Sequence, residues 1–478
     1  MEKISSSKGS IYGVTTEAVQ HSVLRQYMAA GAANLAAMVV GTVLGWSSPV
    51  LPKMSEDGFY LYASSEQQSW VGSLVALGAA IGPFPAGVLA DRIGRKRTML
   101  ALTVPFLLGW IIITAAQSVG VIYFARILLG FAVGAVFTVC PMYVGEIAES
   151  NVRGALGSLM QLFVTFGFLY VYCIGPYSSY TALGMACTVL PIVFFCVMYV
   201  VPASPYYLVA QGRTEEAATA LQWLRQTPAQ EVREELEDIQ ESVREAQQNA
   251  GTLRDLVRTR GNVKALCLSL GLVSFQQLSG INAVLFYSEA IFLSTGSSMS
   301  ASVSTIIVGV VMLLASCATP LLADRLGRKM LLYISAIGMA GSLAMLGLFF
   351  SGLEAIASIT WLPVLCLVFY IIVYCVGFGP LPWAVMGELF PANVKSKASS
   401  CTASFCWLLG FFITKFFATI VEGLGQHTAF FLFAIFCGIA FVFVYVLLPE
   451  TKGKSLQEIQ DILNGGRSTQ YSAPGEEL

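Results

Sequence analysis

The chain has 478 residues, 56% of them hydrophobic and only 12% charged, with a formal net charge of -1. A mean hydropathy of +0.71 excludes a soluble globular domain. No basic tract or aromatic-basic interleaving points to nucleic acid as a partner. At roughly 20 residues per crossing, the apolar stretches hold twelve spans, six on each side of a polar insert. An all-α protein with the lipid bilayer as its solvent follows.

Residues 1-26 form a polar tail without the apolar core of a signal peptide, so the first span is expected to direct insertion. The first six-helix half covers 27-201. Its first span, about Tyr27 to Ser48, carries Gly31, Ala32, Ala33, Gly41 and Gly45, small residues that let helices approach closely. Lys53 to Gln68 is the longest loop on one face, and Trp70 opens the second span as an interface anchor. Of 27 Lys and Arg residues, Lys53 alone lies in a loop of that face; Arg126 and Lys415 lie within spans. The other 24 fall on the opposite face, which the positive-inside rule makes cytoplasmic together with both termini.

A charge knot, Asp91-Arg-Ile-Gly-Arg-Lys96, follows the second span, and it returns as Asp324-Arg-Leu-Gly-Arg-Lys329, 233 residues later. Glu146 with Arg153 returns as Glu388 with Lys395, 242 residues later. Pro202-Ala-Ser-Pro205 matches Pro449-Glu-Thr-Lys-Gly453 at an offset of 247. Three ordered pairs at similar offsets mean a duplicated six-span unit. With an even number of spans per copy, the copies lie parallel, related by an axis along the membrane normal. Membrane topology alone accounts for the basic residues but not for Asp91, Glu146, Asp324 and Glu388 recurring at matched places. These acids with Arg92, Arg95, Arg153, Arg325, Arg328, Lys395 and Glu450 are expected to form a gate that pairs across the halves when this face shuts.

Residues 202-262 form a cytoplasmic helical linker. Thr214-Glu-Glu starts a helix with acids in its first turn, and Val232, Leu236, Ile239 and Val243 form an amphipathic stripe.

The second half, 263-448, opens on the stretch with the most chemistry, Ser274-Phe-Gln-Gln-Leu-Ser-Gly-Ile-Asn282. Buried amides cost free energy unless partnered, so they serve either as glue between helices or as a site facing a cavity. Four polar groups within nine residues, with a glycine, favour a site. An ideal helix puts Gln276 and Tyr287 on one stripe, Gln277 on its flank and Asn282 on the far side; a break near Ser279-Gly280 brings Asn282 round. In the tenth span, Gly377-Phe-Gly-Pro-Leu-Pro-Trp383 predicts another break, with Trp383 beside it as an aromatic plate suited to a sugar ring. Gln161 is a lone polar residue in the fifth span, and Lys415 in the eleventh either snorkels outward or meets an acid. Residues 449-478 form a cytoplasmic tail. The eleven cysteines lack a C-x-x-C pair, and the two histidines, His21 and His427, offer no acid-base or metal constellation. No enzyme activity, cofactor or metal is expected.

Together these residues resemble the sugar-porter branch of the major facilitator superfamily, from Tyr27 to Lys454. The more specific motifs are Gln276-Gln-Leu-Ser-Gly-Ile-Asn282, Gly379-Pro-Leu-Pro-Trp383, Tyr143-Val-Gly-Glu-Ile, Arg153-Gly-Ala-Leu-Gly157 and Pro449-Glu-Thr-Lys-Gly-Lys-Ser455. Within the branch, Ser69-Trp-Val-Gly, Thr305-Ile-Ile-Val-Gly and Trp407 to Lys415 resemble the insect facilitated trehalose transporters. The resemblance implies a rocker-switch carrier with sugar contacts at Gln161, Gln276, Gln277, Asn282 and Trp383, and with Arg126 near the outer part of the path. It also exposes departures. Met312 and Cys406 stand where relatives carry asparagines, Cys375 where glucose facilitators carry an acid, and Pro202-Ala-Ser-Pro-Tyr206 replaces P-E-S-P-R. Proton-coupled relatives carry an aspartate at the position aligning near Val43. Its absence favours passive carriage of trehalose or a hexose at the plasma membrane. Glu289, near the outer end of the seventh span and expected to meet water, is the acid that would permit a proton symporter instead. A non-transporting sensor is the other alternative, disfavoured by the short tail.

Overall fold

A computed structural model describes residues 23-464 apart from positions 150, 229, 249-252, 297-298, 353-355, 357-358, 453 and 455; the side chains of 253, 320, 321, 323, 324, 392, 456 and 457 are also outside the description. The described chain is helical, as a chain in lipid must be when every backbone polar group needs an internal partner. Eleven helices are long and apolar enough to cross a bilayer, and the bent pair Ser65–Ile81 and Pro83–Ile93 makes the twelfth.

The first six spans are Leu24–Met54, that bent pair, Arg95–Ala115, Val119–Ile147, Arg153–Ile174 and Tyr180–Val200. The last six are the seventh span from Arg260, the eighth Ala301–Leu326, the ninth Arg328–Phe350, the tenth Leu362–Leu389, the eleventh Ala392–Leu424 and the twelfth Gln426–Leu447. Between them lie the linker helices Thr214–Arg225 and Arg233–Gln248. The expected stripe packs there: Val232 and Ile239 are buried with Leu221, and Leu236 and Val243 rest on them.

The helices are apolar on two sides, as membrane bundles are. Phe124 and Val121 of the fourth span face outward, while Leu129, Val133 and Val136 of the same helix are buried. The second and fourth spans touch backbone to backbone: a Cβ on Gly78 would fall 2.2 Å from the Ile127 carbonyl oxygen, and one on Gly134 2.1 Å from that of Ala79. Substituting either would force the helices apart.

The two ends of the interface between halves differ. On the face opposite the basic residues, Tyr172 OH donates to the Leu285 carbonyl at 2.8 Å and the Glu289 N–H donates to Ser48 Oγ at 3.2 Å, both across the halves. On the basic face, the described ion pairs Arg95–Glu146 and Arg328–Glu388 each stay within one half. The end away from the basic residues is joined by hydrogen bonds; the basic end lacks such ties among its described ion pairs.

Candidate functional site

The seventh span is built to break. Helix Arg260–Leu278 stops at Ser279, Gly280 takes φ 81°, and the chain restarts as Ile281–Phe286. That left-handed conformation favours glycine, and here space also demands it, because a Cβ would sit 2.4 Å from the Phe433 ring. The break turns Asn282 back toward the preceding helix, where its Nδ2 donates to Gln277 Oε1 at 2.7 Å. Tyr370 OH braces the break by donating to the Ser279 carbonyl at 2.9 Å.

The tenth span breaks beside it, between Val376 and Leu381. Pro382 has no N–H to return to the Phe378 carbonyl four residues earlier, so that oxygen needs another donor. Gln276 Nε2 supplies it, donating to Phe378 O at 2.7 Å and to Gly379 O at 2.8 Å. Two broken spans therefore hold each other through one amide.

The eleventh span closes the group. Gln277 Nε2 donates to Cys406 Sγ at 3.1 Å, and Cys406 Sγ lies 3.7 Å from Gln276 Oε1. Gly410, one turn on, brings bare backbone to the amides: a Cβ there would be 3.1 Å from both Asn282 Nδ2 and Gln277 Oε1. Gln276, Gln277 and Asn282 are buried, and all three sit on the second half. Trp383 is partly buried against the core, one residue past Pro382. Gln161 is partly exposed on the fifth span and makes no hydrogen bond with a described residue. The structure thus joins Gln276, Gln277 and Asn282 directly and leaves Gln161 and Trp383 apart from their hydrogen-bonded cluster.

A linked set of amide donors and acceptors is suited to neutral hydroxylated ligands, because each amide can accept and donate without carrying charge. A family profile described as "Sugar (and other) transporter" matches residues 14–463. The chain belongs to that family. A facilitated trehalose transporter Tret1 of Polypedilum vanderplanki is 40% identical over 466 residues, covering 96% of this chain and 92% of the relative. The Bombyx mori protein of the same name is 36% identical, with 96% and 90% covered. The one from Aedes aegypti is 39% identical, but the chain spans only 57% of its length. Among solved structures, the xylose transporter XylE from E. coli in a partially occluded inward open conformation has a TM-score of 0.77 at 23% identity, covering 90% of this chain and 100% of that one. The proton:xylose symporter XylE bound to 6-bromo-6-deoxy-D-glucose gives 0.76 at 23%, with 92% and 99% covered. These likenesses show a major facilitator fold.

In this transporter the expected gate residues fall into two knots. In the first, Arg95 bonds Glu146 at 2.8 Å and Asp91 at 3.2 Å, and Ser204 Oγ donates a short hydrogen bond to the second Glu146 oxygen. In the second, Arg328 Nη2 lies 3.1 Å from Glu388, while Glu450 accepts the backbone N–H groups of Arg328 at 3.2 Å and Lys329 at 3.0 Å. Burial pushes the Glu450 carboxyl up, but four backbone N–H groups outweigh it and hold the carboxyl below the ordinary value. Arg92, Arg153, Arg325 and Lys395 form no described ion pair; the Arg153 guanidinium donates to the Ala148 carbonyl, and the Arg325 carbonyl accepts from Lys452. The Asp324 side chain lies outside the described residues.

Two expectations need correction. Glu289 does not meet water: it is buried, and its Oε1 accepts from Ser302 at 2.8 Å, because helix Ser288–Leu293 folds in against the end of the first span. Lys415 neither snorkels nor finds an acid. Its Nζ donates to Ser69 Oγ at 2.6 Å and lies 4.4 Å from the Trp70 ring centroid, joining the halves toward the face opposite the basic residues.

Proposed function

We propose that the chain is a facilitative sugar transporter, a uniporter that moves trehalose or a closely related sugar down its gradient by alternating access. The names of its relatives support the substrate, and the neutral amide cluster supports a ligand made of hydroxyls. Gln276, Gln277 and Asn282 contact the sugar from the second half, Trp383 stacks on it, and Gln161 reaches it from the first half.

One observation favours uniport over proton coupling. Arg126 is fully buried, and its guanidinium donates to the carbonyls of Val43 at 2.6 Å and Val71 at 2.9 Å. Backbone carbonyls do not titrate, and this cation has no carboxylate partner among the described residues. Val43 is the position aligning near an aspartate in proton-coupled relatives.

In this reading the described state faces inward. The basic face is cytoplasmic, the protein sits in the plasma membrane, and the halves 27-201 and 263-448 rock about the sugar. The knots around Glu146 and Glu388 trade partners between halves when the inner face shuts. Proteoliposomes containing only this protein test the assignment. Labelled trehalose should enter to equilibrium and ignore an imposed proton gradient; accumulation above equilibrium driven by that gradient would overturn uniport.

A further inference from the structure

The two knots share a frame but differ at one position. In the second half the N-terminus of the ninth span is covered by Glu450, whose carboxylate takes the Arg328 and Lys329 N–H groups. In the first half the third span starts in the same way, after Gly94 at φ 96° and Gly327 at φ 86° respectively. Lys96 Nζ donates to the Tyr199 carbonyl at 2.8 Å as Lys329 Nζ does to that of Tyr445 at 3.0 Å. Yet Ala203 stands where Glu450 does, the Tyr207 ring and not a carboxylate lies against Gly94, and no described side chain accepts the Arg95 or Lys96 N–H groups.

A cavity of about 640 Å³ opens there, bounded by Ala203, Arg95, Lys96, Arg97 and Arg213. Its only acid among the described lining residues is Glu216, already bound to Arg213 by two hydrogen bonds at 2.7 and 2.5 Å. Arg95 is committed to Glu146 and Asp91. Lys96 keeps two free N–H donors after bonding one carbonyl, and Arg97 has no partner among the described residues. The cavity is therefore cationic, lies at a helix N-terminus, and lacks the anion that the sister half builds in.

We propose that this cavity binds the phosphate of an anionic phospholipid from the adjoining leaflet. The wall decides for a lipid. Tyr199 and Val200, at the end of the sixth span, are 67% and 77% exposed and line the same opening, so acyl chains can lie against them while the headgroup reaches Lys96 and Arg97. A soluble phosphate would gain nothing from that apolar side. The inference is independent of which sugar is carried.

The test is native mass spectrometry of the detergent-purified full chain titrated with phosphatidic acid, with phosphatidylcholine as the neutral control. One phosphatidic acid should remain bound at concentrations where phosphatidylcholine does not. Ala203→Glu, which restores the sister carboxylate, should weaken that binding at least tenfold, and Arg97→Gln several-fold. Lys264→Gln, an exposed basic residue at the start of the seventh span, should leave it unchanged and controls for general surface charge. Unfolding temperatures measured without lipid establish that each variant is folded. Wild-type affinity in both Ala203→Glu and Arg97→Gln, or an equal loss in Lys264→Gln, would overturn the site. Displacement of the lipid by millimolar inorganic phosphate would overturn the lipid assignment in favour of a soluble anion.

Discussion

The first and second halves repeat one plan, but their polarity sits in different places. The second half holds Gln276, Gln277 and Asn282 within reach of two helix breaks and a bare glycine, and it caps its knot with Glu450. The first half offers Gln161, which has no described hydrogen-bond partner, and Asn34, whose amide is tied to the Ala30 carbonyl and Cys140, with a knot in which Ala203 stands where that acid would be. A duplicated scaffold keeps its helix packing and its charged hinges in both copies, whereas ligand chemistry needs to be present only once. We propose that the recurring arginine–glutamate pair is the part tied to motion and the unrepeated amides the part tied to substrate.

The contrast is broken most strongly at the amides. Losing a buried hydrogen bond to a sugar hydroxyl costs about 1.4 kcal/mol, or roughly tenfold. Gln277→Ala and Asn282→Ala should each cut trehalose uptake at least about tenfold with surface expression intact, while Gln161→Ala should cost about threefold or less. Equal losses at all three positions would dissolve the asymmetry. Gly410→Val comes next: its side chain would press on Asn282 and Gln277, each 3.1 Å from the Cβ position, so KM should rise several-fold with little change in unfolding temperature.

Lys415→Met should have a smaller effect, because it removes one of several ties at the outer end. An impermeant thiol reagent added outside should label Ser48→Cys several-fold faster in that background, reporting a shift toward outward opening. The smallest effect is the pH response of Glu450. Its carboxyl lies below the ordinary value of 4.5, so the folded state binds the proton less readily than the unfolded one. The stability it adds is full above the ordinary value and fades as pH falls through the lowered one. Between pH 6 and about pH 3, Glu450→Gln should therefore lose less unfolding temperature than the wild type.

Much of this was legible from residue order. A glycine among four polar residues located the seventh-span break, and the break explains how Asn282, on the far side of an ideal helix, meets Gln277 at 2.7 Å. Two prolines located the tenth-span break. What its freed carbonyls would bind was not legible, since an acceptor on the backbone leaves no trace in side-chain pattern; only packing brings Gln276 to Phe378. Cys406 looked like the loss of a polar partner, yet its sulfur takes the Gln277 amide proton. Gly410 and Tyr370 gave no signal, one a single glycine among apolar residues and the other an aromatic inside a hydrophobic run. Lys415 was misjudged because neither snorkelling nor an acid was the answer; a serine and a tryptophan of the other half were, and they lie 346 and 345 residues away in the chain.

The most direct test of a carrier whose one polar site is exposed alternately to each side is counterflow. Proteoliposomes are loaded with unlabelled trehalose, diluted into tracer without any proton gradient, and followed over time. Tracer should rise transiently above its equilibrium level as outgoing sugar returns the site to the outside, and Asn282→Ala should abolish the overshoot. A monotonic approach to equilibrium in the wild type would contradict alternating access at this site.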